Sequence, residues 1–385
     1  MKILIVGSLT DNSGSSLRNW EIANALASLG HNVTYSEPTQ LNRKPLFPSV
    51  TYYPAPYFKF PFFLGFVSSF FFYSQLLLNN RFNLIIVAKP FFHSSLPVLF
   101  FGKQSIKILD VDDLEFEYHL GLSRLLVKIT TTTCIKLFNY FSCHNNNLKT
   151  FLSRNFDIPI NKIFFLGQGI NPLTFLQTVS NETTSDLYKK YGLKKSEVKI
   201  LFFAHLGAAA AIEPIFSSLE KLLKEVKKPF KLIVVGGGSE LPKYRQRIIN
   251  SSLANNVVFT DRINFDQRHI YFSIATFAIN YNLESGNEFR SPLKLREYLA
   301  AKLPVVTTNI GDTHLFKKFV TIVNNEKELT SVLKKWINKP PLKNISGSNY
   351  ICNQHSWAKL ASNFISQVQK ISKNLNQLPQ SKQNL

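Results

Sequence analysis

The sequence has little cysteine and few acidic residues. Its 385 residues include three cysteines, which form neither a CxxC pair nor an even set of partners. This usage is typical of a reduced, cytoplasmic protein without structural zinc. The sequence has only 24 acidic residues and 45 lysines and arginines, so the net charge is +21. Such a charge suits an anionic partner, whether a nucleotide diphosphate, a nucleic acid or an anionic membrane surface.

Several motifs of other function classes are also missing. The basic residues are scattered and no nucleic-acid-binding motif accompanies them, so we expect no nucleic-acid partner. Neither GxSxG nor HExxH occurs. Gly236, Gly237 and Gly238 lack the spacing GxxxxGK[ST] of a phosphate-binding loop, and they are predicted to form a tight turn after a strand.

One long stretch lacks charge altogether. Residues 60–80 are rich in Phe and Leu, and their length approaches what a bilayer requires. Pro61 at the start, the polar residues inside it and the apolar strand pattern that follows favour a packed helix of an α/β domain. A patch lying in the membrane interface is the second interpretation. The apolar run at 1–7 is too short for a signal peptide and is predicted to be a strand.

The chain alternates short apolar strands with helical patterns throughout most of its length. Such alternation gives parallel strands joined by right-handed crossovers, which predicts α/β domains of the Rossmann-like kind. Two such domains place a ligand in the cleft between them, at the carboxyl ends of the strands. The predicted strands are 2–6, 31–35, 84–87, 106–109, 138–142, 163–166, 198–203, 231–235, 257–259, 277–280 and 305–307.

The strongest candidate site is a loop at 290–292 that leads into a predicted helix at 293–301. N–H groups at the start of a helix favour a diphosphate, and Arg290 and Lys294 add positive charge at the same end. Glu297 lies one turn further, where a carboxylate can accept hydrogen bonds from two ribose hydroxyls. The alternative is an ordinary amphipathic helix with Pro292 as its first residue.

This segment carries a resemblance to a known family. The string SPLKLREYLAAKLPVV at 291–306 resembles the donor-binding segment of retaining GT-B glycosyltransferases of family 4. In that family a proline-containing loop precedes Glu-Ala-hydrophobic-Ala and then Pro-Val-Val. Weaker matches follow in the family's order, and they lie at 1–16, 165–175, 201–213, 234–238, 257–262 and 355–357.

The resemblance implies transfer of a sugar, hexosyl in type, from a nucleoside-diphosphate sugar to an acceptor hydroxyl with retention of configuration. The expected setting is polysaccharide, glycolipid or cell-envelope glycan synthesis. No cofactor is expected beyond the donor substrate. No metal is expected either, because transferases of this fold neutralise the leaving group with helix dipoles and basic residues.

The resemblance also implies the domain organisation of the GT-B fold. We expect an N-terminal Rossmann-like acceptor domain at 1–176, a linker at 177–197 and a nucleotide-sugar-binding domain at 198–345. A C-terminal helix at 346–373 crosses back to the first domain, and a disordered tail follows at 374–385.

Site residues carry over by position. Arg290 and Lys294 are assigned to catalysis, because they compensate the charge of the departing diphosphate. Glu297 binds the ribose, and groups at 291–293 cradle the diphosphate. Arg262 flanks the base, and Gly14 and Ser15 approach the donor phosphate or the acceptor. The predicted donor-binding residues are Gly14, Ser15, Arg262, Ser291, Pro292, Leu293 and Glu297.

A second candidate is the acidic cluster of Asp110, Asp112 and Asp113 at the end of a predicted strand. Clustered carboxylates can bind a metal, orient an acceptor hydroxyl or act as a base, and they raise one another's pKa. The resemblance places Asp112 where many relatives carry a histidine near the reacting sugar, which favours a role in positioning the acceptor or the sugar. The alternative for Asp110 or Asp113 is a helix cap.

The sequence departs from the family at two points. The usual pair of glutamates, separated by seven residues, has Phe289 at its first position, and Glu288 is one residue off. The usual Arg and Lys after the second domain's first strand correspond to His205 and Ala210. A catalytically degenerate member that acts as a binding or partner subunit is therefore the alternative function. An epimerase of the same architecture is a further one, which the C-terminal helix disfavours.

The acceptor is predicted from charge and aromatics. The +21 charge and the Phe-rich stretch at 52–72, with Lys59 inside it, suggest docking on an anionic membrane to reach a lipid-linked or glycan acceptor. The expected location is cytoplasmic, with peripheral attachment to the inner face of the membrane. The alternative is that these aromatics are core residues and the charge is general.

Overall fold

The protein consists of two compact α/β units. The computed structural model describes residues 1–9, 14–39, 44–56, 62–207, 210–282 and 287–376. The first unit is Met1–Gln168 together with Trp357–Leu385, and the second is Gly169–Ser356. Each is built around a parallel sheet, which confirms the predicted class of two Rossmann-like domains.

The strands and helices follow one another in the predicted alternation. The strands are β1 Lys2–Gly7, β2 Asn32–Ser36, β3 Pro38–Thr39, β4 Thr51–Tyr52, β5 Ala55–Pro56, β6 Leu84–Ala88, β7 Ile106–Val111, β8 Tyr140–Cys143, β9 Ile163–Phe165, β10 Val198–Phe203, β11 Phe230–Val235, β12 Val257–Phe259, β13 Phe277–Asn280, β14 Val305–Thr308 and β15 Thr321–Val323. The α-helices are α1 Gly14–Ser28, α2 Phe62–Asn79, α3 Phe92–Phe101, α4 Gly121–Leu137, α5 Asn146–Phe156, α6 Pro172–Leu176, α7 Asn181–Lys190, α8 Glu213–Leu222, α9 Leu241–Ile249, α10 Arg268–Ile274, α11 Leu293–Ala300, α12 Glu326–Asn338, α13 Ile345–Gln354 and α14 Trp357–Asn376.

The first unit contains a seven-stranded sheet in the order β4-β2-β1-β6-β7-β8-β9. Two of its central strands, β1 and β6, are largely continuous apolar runs because helices cover both faces of a parallel sheet. On one face, apolar residues of α1 and α14 pack against β1, β2 and β6. Trp20 and Phe364 are fully buried in this core.

The unit boundaries differ from the expected ones. The first unit ends at Gln168 rather than at residue 176, and the expected linker at 177–197 includes helix α7 within the second unit. The C-terminal segment that belongs with the first unit is α14, whereas α13 stays with the second. Most of the expected disordered tail, residues 377–385, lies outside the described residues.

The second unit contains a six-stranded sheet in the order β12-β11-β10-β13-β14-β15. From β10 the chain builds the sheet in one direction through β11 and β12, and from β13 it builds in the other. The order therefore reverses between β10 and β13, which pair in parallel. Apolar clusters cover both faces of this sheet.

The uncharged stretch at 60–80 forms helix α2, as the favoured interpretation predicts. Tyr73 is fully buried on it and donates a hydrogen bond to the carbonyl of Gly7 at 2.9 Å, which ties the helix to the end of β1. Among the described residues, no helix is long and apolar enough to cross a membrane. Residues 57–61 of the Phe-rich stretch, with Lys59, lie outside the described residues.

Candidate active site

A cavity of about 250 Å³ opens in the second unit at the carboxyl ends of β10 and β13. This is the place where the strand order reverses, and ligands of open α/β sheets bind at such switch points. The cavity walls include both basic residues of the predicted loop and helix start. The lining residues are Phe202, Ala204, His205, Gly207, Ala210, Ala211, Tyr281, Asn282, Arg290 and Lys294.

The glycines after β11 shape one wall of this cavity indirectly. Gly236 has φ of +136°, and a Cβ there would lie 1.9 Å from the carbonyl oxygen of Ala204. A Cβ at Gly238 would lie 2.3 Å from the carbonyl oxygen of Leu206. Only glycine allows this close approach of two backbones, so these residues form the predicted tight turn and pack against the loop that lines the cavity.

Lys294 is a half-buried cation in the wall of the cavity. Its ammonium lies 5.4 Å from the centroid of the Phe202 ring. Burial, together with the positive charge of Arg290, lowers the pKa of Lys294 to about 8. A bound anion would relieve both effects, because its negative charge would stabilise the charged form of Lys294 beside Arg290. The pair has the electrostatics of an anion site.

Helix α11 begins beside these cations. Pro292 is its N-cap residue, with φ of −63° and ψ of 110°, rather than the first helical residue of the alternative interpretation. It gives no side-chain cap to the N–H groups of the first turn. The positive end of the helix dipole, which begins at Leu293, therefore acts at the same end as Arg290 and Lys294.

A buried network fixes the loop before α11. Asp312 accepts a hydrogen bond from the Ser291 hydroxyl at 2.6 Å and forms an ion pair with Arg296. Arg296 also donates to the carbonyl of Pro292 at 3.2 Å, and its guanidinium lies 4.9 Å from the centroid of the Phe316 ring. The Ser291 hydroxyl, a predicted donor-binding group, is thus engaged with Asp312 in this structure.

Gly311 holds the same loop from the other side. It has φ of +50°, and a Cβ at this position would lie 1.7 Å from the carbonyl oxygen of Arg290. The next residue, Asp312, donates its backbone N–H to that carbonyl at 3.3 Å. The turn after β14 therefore sets where the backbone of Arg290 lies.

Glu297 is buried and paired, and it is not among the residues that line the described cavity. Its carboxylate accepts a hydrogen bond from Nε of Arg268 at 2.8 Å. Burial raises the pKa of Glu297 and the charge of Arg268 opposes this rise. The neighbouring Tyr298 accepts a hydrogen bond from the N–H of Phe203 at 2.8 Å, which joins α11 to the end of β10.

Arg262 lies against the glycine turn. A Cβ at Gly237 would be 3.3 Å from the Cβ of Arg262. Arg262 follows β12 and is exposed to solvent. It is therefore available to a ligand, although it is not among the residues that line the described cavity.

The family departures fall on the cavity wall. His205 and Ala210 line it at the positions where relatives are expected to carry Arg and Lys. Ala208, Ala209 and Glu284 lie outside the described residues. Phe289 is half-buried just before the loop. In the described cavity the cationic lining side chains are therefore Arg290 and Lys294.

The first unit places Asp112 after β7, beside a lysine that no sequence motif marks. Lys89 is buried after β6, and its ammonium lies 2.9 Å from Oδ1 of Asp112 and also pairs with Glu115. Burial lowers the pKa of Lys89, but Asp112 and Glu115 overcome this and raise it above its usual value. The backbone of Lys89 has φ of +70°, an uncommon conformation for a side-chain-bearing residue.

One expectation for the acidic cluster is wrong, and one of its two candidate helix caps has another role. Burial favours the neutral form of Asp112, but the charges of Lys89 and Arg18 overcome it and lower the pKa of Asp112. Clustering of carboxylates alone predicted a raised pKa for Asp112, and the structure gives a lowered one. Of the two candidate helix caps, Asp110 pairs instead with Arg18 and accepts a hydrogen bond from Ser142 at 2.6 Å, so a capping role stays a prediction for Asp113.

The same cluster is the candidate for a cation. Carboxylate oxygens of Asp112, Asp113 and Glu115 lie within 4.8 Å of one another. The ammonium of Lys89 contacts two of these three residues. A positive charge supplied by the chain itself therefore stands among the oxygens that a metal would need.

Gly14 and Ser15 are the first residues of α1. The Ser15 hydroxyl donates to Oδ2 of Asp112 at 3.5 Å, so the two candidates meet within the first unit. A Cβ at Gly14 would meet nothing within 4 Å. Residues 10–13 of the preceding loop lie outside the described residues.

Comparisons with known proteins agree with this architecture. Residues 184–350 match the sequence model of the family described as "Glycosyl transferases group 1". An uncharacterized glycosyltransferase of Methanocaldococcus jannaschii is 22% identical over 338 residues, which cover 82% of this chain and 81% of that protein.

Solved structures share the fold over nearly the whole chain. Sucrose-phosphate synthase from Thermosynechococcus elongatus superposes with a TM-score of 0.75 at 14% identity, covering 97% of this chain and 99% of that one. Anabaena HepE in complex with UDP-glucose gives a TM-score of 0.69 at 14% identity, covering 98% and 100%. The chain thus has the GT-B fold that these solved glycosyltransferases share, and its residues 184–350 match the family described as Glycosyl transferases group 1.

Proposed function

We propose that the second unit binds a nucleoside-diphosphate sugar in its cavity and that the protein transfers the glycosyl group to an acceptor hydroxyl. The observation that carries this proposal is the position of Arg290 and Lys294 in the wall of a cavity at the switch point of the sheet. The similar Anabaena protein is described as bound to UDP-glucose, which supports a nucleotide-sugar donor here.

The reaction requires stabilisation of the negative charge that develops on the departing diphosphate. The bond between the anomeric carbon and the diphosphate oxygen breaks, and its electron pair stays on the diphosphate. Lys294, Arg290 and the N-terminus of α11 are arranged to stabilise that charge. The anomeric carbon bonds to the acceptor oxygen, and the acceptor proton is released. Retention of configuration and a hexosyl donor remain part of the proposal, on the family resemblance.

Glu297 is proposed to accept hydrogen bonds from the donor ribose, and Arg268 is proposed to hold its carboxylate in place. The ion pair between them supports this division of roles, because the hydrogen bond from Nε of Arg268 fixes the orientation of the carboxylate. The backbone of 291–293 is proposed to face the diphosphate, and Arg262 the base.

The acceptor side is proposed to lie on the first unit. Asp112 has a lowered pKa, so it is ionised at neutral pH and accepts hydrogen bonds rather than donating a proton. It is proposed to orient a hydroxyl of the acceptor or of the transferred sugar, next to Gly14 and Ser15. A glycan or a glycolipid is the proposed acceptor, handled on the cytoplasmic side.

A catalytically degenerate partner subunit is the second candidate. Phe289, His205 and Ala210 favour it, because they replace the family's charged residues. The open cavity disfavours it, since a protein that had lost donor binding would not need a half-buried lysine that meets no acidic side chain among the described residues of the cavity wall.

A screen of nucleoside diphosphates and nucleotide sugars by thermal shift tests the proposal. A ligand at 100 times its Kd stabilises a protein by about 2.7 kcal/mol, so a ligand of one base should raise Tm by several degrees. The variant Glu297→Gln should then bind that nucleotide roughly tenfold or more weakly by calorimetry, since hydrogen bonds to charged groups contribute about 1.5–3 kcal/mol. Unchanged affinity in Glu297→Gln rejects the ribose assignment, and no response to any nucleotide rejects the proposed donor.

A further inference from the structure

Helix α4 of the first unit has an apolar face that the fold does not use. Leu122, Leu125, Leu126 and Ile129 recur at intervals of three, one and three residues, which places them on one side of the helix. They are 71%, 54%, 56% and 50% exposed, respectively. A helix that only served the core would present polar residues on this side.

The core contacts of α4 come from a different set of residues. Thr131, Cys134 and Ile135 are its buried residues, and they lie on the side opposite the exposed leucines. Cys134 and Ile135 account for its contribution to the interior. The exposed apolar side is therefore a second face, with no partner within the described part of the chain.

Two neighbouring helices extend this apolar face. Helix α3 packs against α4, and α2 packs against α3. Phe100 on α3 is 64% exposed, and Phe71 and Leu78 on α2 are 66% and 64% exposed. Monomeric proteins rarely expose a contiguous apolar patch of several large side chains unless it binds something. We call the outward side of these three helices the α2–α4 surface.

The charge of the α2–α4 surface has one sign. Helices α2 and α3 contain no charged residue, and α4 contains no acidic one. The charged residues of α4 are Arg124, Lys128 and Lys136, all of them exposed. Lys136 lies on the side of Leu125 and Ile129, whereas Arg124 and Lys128 lie at the edge of the surface, in line with the buried face of the helix. Arg124 contacts Glu117 of the preceding segment at 3.1 Å, an exposed pair of little energetic weight.

We infer that the α2–α4 surface docks the protein on an anionic lipid bilayer. Exposed Leu and Phe, with Lys136 on the same side, Lys128 at the edge and no acidic residue in the three helices, match a helix lying in the interface of an anionic membrane. A two-fold dimer through the same surface would bring the basic residues of both copies together, which costs energy. Since no described helix can span a bilayer, the attachment is one of surface docking.

The inference extends the sequence-based expectation and moves it. The stretch at 52–72 accounts for only part of the surface, through the start of α2, whereas α4 supplies the cations and most of the exposed leucines. Docking is independent of the proposed reaction. Its failure therefore leaves the nucleotide-binding test untouched, and the reverse also holds.

Flotation of the full chain with vesicles tests the inference. We expect binding to vesicles of phosphatidylcholine mixed with phosphatidylglycerol, and little binding to pure phosphatidylcholine. The variant Leu125→Glu/Leu126→Glu should lose binding. The variant Lys128→Gln/Lys136→Gln should weaken it about fivefold per lysine, which corresponds to about 1 kcal/mol per basic residue near an anionic surface.

Matched changes on the second unit serve as controls. Leu342→Glu alters a leucine that is 92% exposed, and Lys243→Gln removes an exposed lysine, so both should bind vesicles like the parent. Binding that ignores anionic lipid, or that survives Leu125→Glu/Leu126→Glu, overturns the inference. Sedimentation velocity without lipid compares the oligomeric state of the parent with that of Leu125→Glu/Leu126→Glu. A parent that is a dimer and a variant that is a monomer would show that the α2–α4 surface is an interface between copies, which also overturns the inference.

Discussion

Arg268 and Glu297 form a buried ion pair in the second unit, with Nε of Arg268 2.8 Å from Oε1 of Glu297. The guanidinium also lies 5.1 Å from the centroid of the Phe175 ring. The carboxylate that the family resemblance assigns to the donor ribose is thus held by a residue of a different helix, 29 positions away. We propose that Arg268 is a positioning residue. Its removal should change the charge state and the orientation of the Glu297 carboxylate.

The variant Arg268→Met should make stability depend on pH. It leaves a carboxylate buried without its partner, at a cost of about 3–5 kcal/mol at neutral pH. The pKa of Glu297, already raised by burial, should rise further. A carboxyl whose folded pKa exceeds its unfolded value favours the folded state at low pH, and this advantage is lost as pH rises through the folded pKa.

Urea unfolding at about pH 5 and about pH 8 measures this effect, because the lower value lies near the ordinary range of a glutamate carboxyl and the higher value lies well above it. The variant should be closer to the parent in stability at the lower pH. The double variant Arg268→Met/Glu297→Gln should lose the pH dependence. An equal loss of stability at both pH values in Arg268→Met would show that the carboxylate is not the group responsible.

Nucleotide affinity should fall above the pKa of Lys294. Burial and the neighbouring Arg290 lower this pKa to about 8, so the charge is present at neutral pH and lost in mildly alkaline solution. If only the ammonium binds the diphosphate, affinity falls about tenfold per pH unit above that value. A bound anion raises the pKa, which shifts the fall to higher pH without abolishing it.

Calorimetry with a nucleoside diphosphate across this range tests the role of Lys294. The variant Lys294→Met should bind weakly at every pH and lack the alkaline fall. Lys243→Met, an exposed lysine on the same unit, should keep the parent's profile. A pH profile that persists in Lys294→Met would assign the titration to another group.

The variant Asp312→Asn should weaken both stability and donor binding. It leaves the buried guanidinium of Arg296 without its counter-charge, at a cost of about 3–5 kcal/mol. It also weakens the hydrogen bond that holds Ser291 in the loop. The exposed pair of Glu225 and Lys334, 2.7 Å apart, is the control, and Glu225→Gln should cost less than about 1 kcal/mol.

Chemical unfolding and nucleotide titration separate the two effects of Asp312→Asn. We expect affinity to fall even where the variant is fully folded, because Arg290 lies in the loop that this network fixes. A variant that is destabilised but binds nucleotide with the parent's affinity would confine Asp312 to a structural role.

The variant Gly311→Ala should displace the loop that carries Arg290. An added Cβ would lie 1.7 Å from the carbonyl oxygen of Arg290, so one of the two backbones must move. Gly30→Ala is the matched control, because φ is +83° there but a Cβ meets nothing within 4 Å. The control should lose about 1–2 kcal/mol from backbone strain alone, and Gly311→Ala should lose more.

Thermal unfolding and nucleotide affinity of both glycine variants give the comparison. Gly311→Ala should lose affinity and Gly30→Ala should keep it. If both variants lost the same stability and the same nucleotide affinity, the requirement for glycine at position 311 would come from its backbone conformation rather than from its close approach to Arg290.

The variant Asp112→Asn should lower turnover and leave nucleotide affinity unchanged. Asp112 has a lowered pKa, so it contributes stability above its unfolded pKa that is lost as pH falls through the folded value. The variant should therefore also lack this part of the parent's acid sensitivity. Glu117→Gln, an exposed partner of Arg124, is the control. Unchanged turnover, or an equal loss of nucleotide affinity, contradicts the acceptor-side assignment.

Local patterns predicted the elements of the fold well, because strands buried on both faces and helix start signals are written in neighbouring residues. The loop and helix from Arg290 to Glu297 were identified for the same reason. Lys89, Arg268 and Asp312 were missed. Each meets its partner only through the tertiary fold: Arg268 lies 29 residues from Glu297, and Asp312 lies 16 residues from Arg296.

The predicted boundary between the two units differs from the observed one for a related reason. The stretch at 177–197 is polar, as a linker would be, but it folds as α7 against the second unit with Leu187 buried. The pKa of Asp112 was mispredicted because the sequence showed its acidic neighbours and not the lysine that the adjacent strand brings beside it.

The return of α14 to the first unit gives the two halves different fates during synthesis. The second unit is contiguous from Gly169 to Ser356, so the ribosome delivers all of it before Trp357 emerges. The first unit, although begun earlier, lacks one wall of its core until Phe364 and its neighbours arrive. Nascent chains usually fold from the N-terminus onward. Here the N-terminal unit completes its core after the second unit has been synthesised. A chain that lost α14 would therefore keep the second unit and leave the apolar core of the first unit exposed.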